Sequence, residues 1–363
     1  MKDHRLHGLD HLRAIAILLV WFYHYRAFKH PEWLDTAGGF GWTGVDLFFV
    51  LSGFLISSQL FKELKVYGYI RLKAFFIKRV FRIIPPYAIT LVLYFCVPFF
   101  REREALPPLW KFVTFTQNYS LDVIHSGTFS HAWSLCIEEQ FYLFLPFGLL
   151  LASKFRLTEK LNILLIGSIA VSILLRAYSW NHYVSQNVDT EAFYKLWYMH
   201  IYYPTYTRLD GLAVGVLIAS LLEYSPLFRK TVHSSGNLFF LSAISVLLLA
   251  LWVCADQFSK SASIWGFTLV AFAYGLLIIA AVSDSCFLGK KRSSFTRQLA
   301  DLSFAVYLSH KMVIHLLQLL FKATNINPDL LLAVCLTGCV LTALLYRYAV
   351  ERPFMLLKNR ILT

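Results

Sequence analysis

Long apolar runs recur along the whole chain, separated by short segments rich in lysine and arginine. Each run approaches the ~20 residues an α-helix needs to cross a hydrocarbon layer about 30 Å thick. In order they predict about ten spans, near 9–27, 43–61, 83–100, 133–152, 160–180, 207–224, 237–255, 264–283, 301–321 and 329–350. No internal repeat or low-complexity tract breaks the pattern, so the chain reads as an all-α, polytopic integral membrane protein. A single membrane domain is expected over 1–363, with no added soluble domain. The first run is too long for a signal-peptide core, and no small-residue cleavage site precedes Gly38, so it reads as an uncleaved first span.

Composition agrees: 58% of residues are hydrophobic and 15% charged, with a mean hydropathy of +0.57. The net charge of +13 would suit nucleic acid, but its distribution points elsewhere. One set of alternating loops and ends carries Lys2, Arg5, Lys62, Lys65, Arg71, Lys73, Lys78, Arg79, Arg82, Lys154, Arg156 and Lys160. It continues with Arg229, Lys230, Lys290, Lys291, Arg292, Arg297, Arg347, Arg352, Lys358 and Arg360. The other set, from Arg26 to Lys322, holds fewer than half as many. By the positive-inside rule both termini are cytoplasmic, and the basic excess is a topology signal, with no nucleic-acid partner expected. All six cysteines fall in or beside apolar runs without zinc-ligand spacing, and read as small buried hydrophobes.

Ionisable residues inside these runs mark candidate chemistry, because a charge within a membrane helix costs a few kcal/mol. Arg13 and His24 lie eleven residues apart on the first span, about three turns and roughly 16 Å, and so share one side of the helix. The alternative is an arginine that snorkels to headgroups and a histidine at the far interface. Asp46, at the outer end of the second span, is at the depth of His24 and could fix its tautomer, or could cap its own helix. Arg79 and Arg82 sit three apart before Pro85 and Pro86, suiting either a phosphate or lipid headgroups. On the fourth span Glu138 forms a stripe with Ser134 and Tyr142, whereas Glu139 points about 100° away. Arg208 and Asp210, and the pair Glu351 and Arg352 ahead of Pro353, read as structural, while His310 is deep enough to stay open. No metal-ligand set is evident.

From LDHLRAIAILLV to ERPF the chain resembles the membrane acyltransferase-3 family, which O-acetylates bacterial surface polysaccharides and some small molecules. The marks are Arg13 and His24 with ten residues between them, the R-x-x-R of Arg79 and Arg82, GVDLFFVLSGFLIS, HAWSLCIEEQFYLFLP, RLDGLAVG and YLSH. Two features depart from relatives: His11 stands where a glycine follows the first-span aspartate, and the hydrolase-like C-terminal domain of some members is not seen, which implies action without an attached domain. The resemblance implies a bacterial inner-membrane O-acyltransferase of cell-envelope polysaccharide biosynthesis. Acyl-CoA, expected to be acetyl-CoA, serves as donor substrate, with no bound cofactor. Arg13, Arg79, Arg82 and His310 are the expected acyl-CoA-binding residues. His24 is the expected general base, with Asp46 or Glu138 to orient or stabilise it. The acceptor is a glycan or lipid-linked glycan hydroxyl, and membrane lipids surround the protein.

A small-molecule hydroxyl is the alternative acceptor. A secondary transporter is the competing class, although the inverted repeats that would favour it are missing. The outer aromatic residues Trp110, Tyr119, Trp197, Tyr198, Tyr202, Tyr203 and Tyr206 could stack on sugars or form an interfacial belt.

Overall fold

The computed structural model describes residues 6–155 and 160–362. Of the basic residues counted for orientation, Lys2, Arg5 and Arg156 lie outside them. The principal helices are α1 (His7–Tyr25), α2 (Thr43–Tyr67), α3 (Leu72–Cys96), α4 (Trp133–Lys154), α5 (Leu161–Ser179) and α6 (Leu209–Tyr224). They continue with α7 (Pro226–Ser234), α8 (Gly236–Val253), α9 (Phe267–Val282), α10 (Ser294–Leu320), α11 (Pro328–Leu345) and α12 (Arg352–Leu362). Among the described residues there is no strand. The molecule is a polytopic, all-α membrane protein.

All the expected spans are helical, but they do not all qualify as free-standing spans. Among the described residues eight helical stretches are long and apolar enough to cross a membrane, and α6 with α7, bent by 103°, counts as a ninth if the two are taken as one span. The first helix is not among them, because Asp10, Arg13 and three histidines dilute its apolar residues. It is kept in place by packing on α2 and α10. Two helices also begin earlier than their apolar runs. α3 starts at Leu72, so Arg79 and Arg82 lie within it, and α10 starts at Ser294 behind a Ser293 N-cap that accepts from the Thr296 N–H.

Prolines inside the spans do not end them. Pro85 and Pro86 stand inside α3 without ending it. Pro353 does not stop the last helix either: a wider-turn segment, Tyr346–Glu351, carries the chain into α12, so that Pro328–Leu362 forms one continuous helical stretch with Pro353 inside it. The expected Glu351–Arg352 pair is not made; Arg347 bonds Asp301 at 3.5 Å instead.

At the centre, α2 and α6 pack so closely that backbone touches backbone. A methyl group on Gly53 would overlap the Leu212 backbone, and one on Gly215 the Val50 carbonyl, so only glycine permits this approach. Two buried ion pairs reinforce this centre, one joining the start of α6 to α2 and the other joining α6 to α5. Arg208 Nη2 lies 2.6 Å from Asp46 Oδ1, and Arg176 Nη1 lies 2.9 Å from Asp210 Oδ2. The Arg208 guanidinium is stacked 3.9 Å over the Phe267 ring and 4.8 Å from that of Tyr202. Five cysteines are buried as small hydrophobes, while Cys96 is exposed.

Candidate active site

Two of the cavities among the described residues lie on either side of one layer of side chains. The first, of about 490 Å³, is lined by Arg13, Arg79, Arg82, Glu138, Tyr142 and Ser134, among others. Arg13 comes from α1, Arg79 and Arg82 from α3, and Glu138 with Tyr142 from one stripe of α4. Three arginines in one concavity form a phosphate-shaped positive field. Glu138 balances part of it, accepting from Ser52 Oγ at 3.0 Å and from the Tyr142 hydroxyl at 3.1 Å. The Arg79 guanidinium stacks 5.4 Å from the Tyr142 ring, and its Nε is buried without a hydrogen bond.

The second cavity, of about 920 Å³, holds His24, His131 and Lys311, with Tyr198, Tyr202 and Tyr203 on its wall. Asp256 and Gln257 add hydrogen-bonding groups. The tyrosines belong to a wider-turn helical segment, Tyr198–Tyr202, and the residue after it. Thus three of the outer aromatic residues face this cavity. Trp197 is buried behind them with its indole N–H on Ser263 Oγ at 2.8 Å, and Trp110, Tyr119 and Tyr206 are exposed.

His24 is set by a relay that the hydrogen bonds assign. His310 Nδ1 lies 2.8 Å from the Tyr307 carbonyl, which can only accept, so Nδ1 carries the proton. With one proton per ring, His310 Nε2 is an acceptor, and His24 Nδ1 donates to it at 2.8 Å. His24 Nε2 is left with its lone pair on the cavity side.

The expected partner of His24 is therefore replaced. Asp46 is engaged with Arg208, and Glu138 lies in the arginine cavity. His310, grouped beforehand with the donor-binding residues, stands beside His24 instead of beside Arg13, Arg79 and Arg82. The reason is helical direction: residues at one depth need not face one another. The earlier start of α10 also puts His310 further along its helix than the apolar run suggested.

Tyr307 and Ser134 form the partition between the cavities. Their hydroxyls are 2.5 Å apart, and Tyr307 also donates to the His131 carbonyl. Both residues line the arginine cavity, while His131 lines the other. Sequence reasoning missed His131, which stands in the S-H-A-W-S opening of the fourth span. A histidine at the same depth as His24 was the available signal.

The acyltransferase-3 profile, described as an acyltransferase domain, matches residues 6–347. "Putative O-acetyltransferase SACOL0978" of Staphylococcus aureus strain COL is 29% identical over 375 residues, covering 96% of this chain and 57% of its own. "O-acetyltransferase OatA" of Staphylococcus aureus strain NCTC 8325 is 28% identical over 369 residues, with the same coverage. The chain thus spans little more than half the length of these relatives. No solved structure matches it.

Proposed function

This chain belongs to the acyltransferase-3 family, and from that premise we propose that it is a membrane O-acyltransferase moving an acetyl group from acetyl-CoA to a carbohydrate hydroxyl. The observation that carries the reading is the pairing of an arginine-lined cavity with a second cavity onto which an unprotonated His24 nitrogen opens. The O-acetyltransferase names of the relatives favour acetyl. The basic bias of one face supports a cytoplasmic arginine cavity in a bacterial inner membrane.

In this reading Arg13, Arg79 and Arg82 hold the phosphates of CoA, and the pantetheine arm passes the Tyr307–Ser134 partition, whose hydroxyls part to admit the thioester to the cavity of His24. The roughly 16 Å between Arg13 and His24 along α1 matches an extended arm. The acceptor lies against Tyr198, Tyr202 and Tyr203, where ring faces suit the apolar faces of a sugar. His24 Nε2 takes the hydroxyl proton as the oxygen attacks the thioester carbon. The C–O bond forms and the carbonyl pair moves onto its oxygen. Collapse restores the carbonyl, breaks the C–S bond, and returns the proton from His24 to the departing thiolate. His310 orients the base. Asp46 and Glu138 act at a distance, the one neutralising Arg208 and the other balancing the arginines.

The test is transfer of labelled acetyl from acetyl-CoA to a panel of hexose and N-acetylhexosamine disaccharides by the full chain in nanodiscs. Wild type should transfer; His24→Ala should bind acetyl-CoA normally and transfer nothing. Transfer unchanged by His24→Ala would overturn the base assignment. A wild type that neither binds acetyl-CoA nor releases its thiol would overturn the donor.

A further inference from the structure

His131 and Lys311 are polar, buried and beside the proposed base, yet the acid–base relay uses neither. Neither ring nitrogen of His131 makes a hydrogen bond of good geometry among the described residues, the backbone of Leu308 being the group placed to serve it, although the residue is only 2% exposed. Buried polar atoms almost always find partners, so such a ring calls for a group that arrives with substrate. Its ring centre is 5.9 Å from that of His24 and 4.9 Å from that of His310. Lys311, next in the chain after His310, lines the same cavity. Its ammonium has three N–H donors. One goes to Glu102 Oε1 at 2.9 Å and one to Ser130 Oγ at 3.4 Å, so one remains to be assigned.

The two groups are positioned together. Glu102 Oε1, which holds Lys311, also accepts the Phe129 N–H at 3.1 Å. Phe129 is left-handed, with φ of 55°, and the turn it makes delivers Ser130 and His131 to the cavity. One carboxylate therefore fixes both the cation and the histidine-bearing turn.

We propose that Lys311 and His131 form the cradle for the oxyanion of the tetrahedral intermediate: the ammonium and one imidazole N–H take the acyl carbonyl oxygen as the hydroxyl attacks. This inference rests on the acyl-transfer reading given above. A hydroxyl oxygen held by His24 Nε2 and a carbonyl oxygen held by a donor, each at about 2.8 Å and both on one carbon, are served together when the two ring edges face the cavity side by side, and both rings line it. A neutral imidazole is sufficient as a donor to a developing oxyanion. No further reactant enters, since the charge on the oxygen collapses with loss of the thiolate.

The experiment follows thiol release from acetyl-CoA by the full chain in nanodiscs, with water or the best disaccharide of the panel as acceptor. Removing an oxyanion donor lowers kcat by about 10²–10³. Lys311→Met should lose that much in kcat while KM for acetyl-CoA moves less than about threefold, and Lys311→Arg should keep part of the rate. His131→Asn, which retains an N–H donor, should outperform His131→Phe.

Because Lys311→Met strands a buried carboxylate, the double variant Glu102→Gln/Lys311→Met provides the decisive comparison. It removes both charges, should fold, and should remain slow. Recovery of wild-type kcat in the double variant would overturn the proposal, since Lys311 would then serve only to neutralise Glu102. So would a loss confined to KM. A wild type that releases no thiol fails the donor reading itself, and this inference with it.

Discussion

His24 and His310 share one hydrogen bond, Nδ1 to Nε2 at 2.8 Å, and the direction of that bond is set outside the pair by the Tyr307 carbonyl. A main-chain acceptor thereby decides which nitrogen of a different residue is free to take a proton. The expected consequence concerns the tautomer more than the fold. His310→Gln keeps an acceptor for His24 Nδ1 and should hold kcat within about tenfold of wild type. His310→Leu removes the acceptor and should cost about 10²–10⁴-fold, the usual worth of a positioned base. Steady-state kcat for both variants checks this, and equal rates in the two would sink the relay.

The arginine cavity makes a separable demand on binding. Arg82 lines it directly, and Arg79 brings a buried, unpartnered Nε. A charge-assisted hydrogen bond is worth about 1.5–3 kcal/mol, or roughly 10–100-fold in affinity. Arg82→Ala should raise KM for acetyl-CoA by that factor with little change in kcat. Arg79→Lys should not restore a bidentate contact, because an ammonium cannot reproduce the planar fork. A fall in kcat with unchanged KM in Arg82→Ala would remove this residue from donor binding.

How much of this was legible beforehand depends on what each residue's surroundings consist of. Apolar runs located every principal span, since twenty apolar residues have few other uses. Arg13 and His24 were readable because one helix fixes their relation. What spacing along a chain cannot supply is the facing of one helix toward another. Asp46 and His24 sit at matched depth, yet Asp46 turns to Arg208, and Glu138 turns away to the arginines. The start of α10 was misjudged for a similar reason. Polar residues from Ser294 to Asp301 continue the helix beyond the apolar stretch, which shifts His310 relative to its neighbours. His131 lies ahead of the fourth apolar run, on a turn set by the left-handed Phe129, and spacing along the helix says nothing of where that turn points.

The Arg208–Asp46 pair has no exposed atoms to share the load: both side chains are essentially fully buried. Asp46 Oδ2 and two guanidinium nitrogens of Arg208 have no hydrogen-bond partner, so stacking on Phe267 and Tyr202 carries much of the contact. Removing one charge leaves the other stranded, at a cost of about 3–5 kcal/mol. Arg208→Met should therefore lower the melting temperature in detergent by roughly 10 °C. The double variant Asp46→Leu/Arg208→Met should regain much of the loss. A single variant that melts like wild type would show that the pair is not a structural tie.

Asp122 gives the cavity mouth a pH dependence of definite sign. Its Oδ2 lies 2.7 Å from Lys195 Nζ and 2.9 Å from His125 Nδ1, and its Oδ1 accepts the N–H groups of Ile124 and His125 at 3.1 and 3.2 Å. Partial burial works to raise the carboxyl, but the Lys195 and His125 contacts outweigh it and hold the group well below the usual carboxylate range. Lys195 belongs to the short helix Phe193–Trp197, just ahead of the cavity tyrosines, while Val123 and Ile124 line the cavity itself. The pair thus ties the segment that carries Val123 and Ile124 to the short helix that precedes the cavity tyrosines. A depressed folded-state value means that the stabilisation is complete above the unfolded value of about 3.9 and is lost as pH falls through the folded one. Amide exchange over 120–131 and 190–200, corrected for intrinsic rates, should be unchanged from pH 8 to pH 5 and should quicken below about pH 4. Asp122→Asn should exchange at pH 6 as quickly as wild type does in acid. Wild-type protection that persists in the variant would mean that the mouth is held by its aromatic packing and not by this charge.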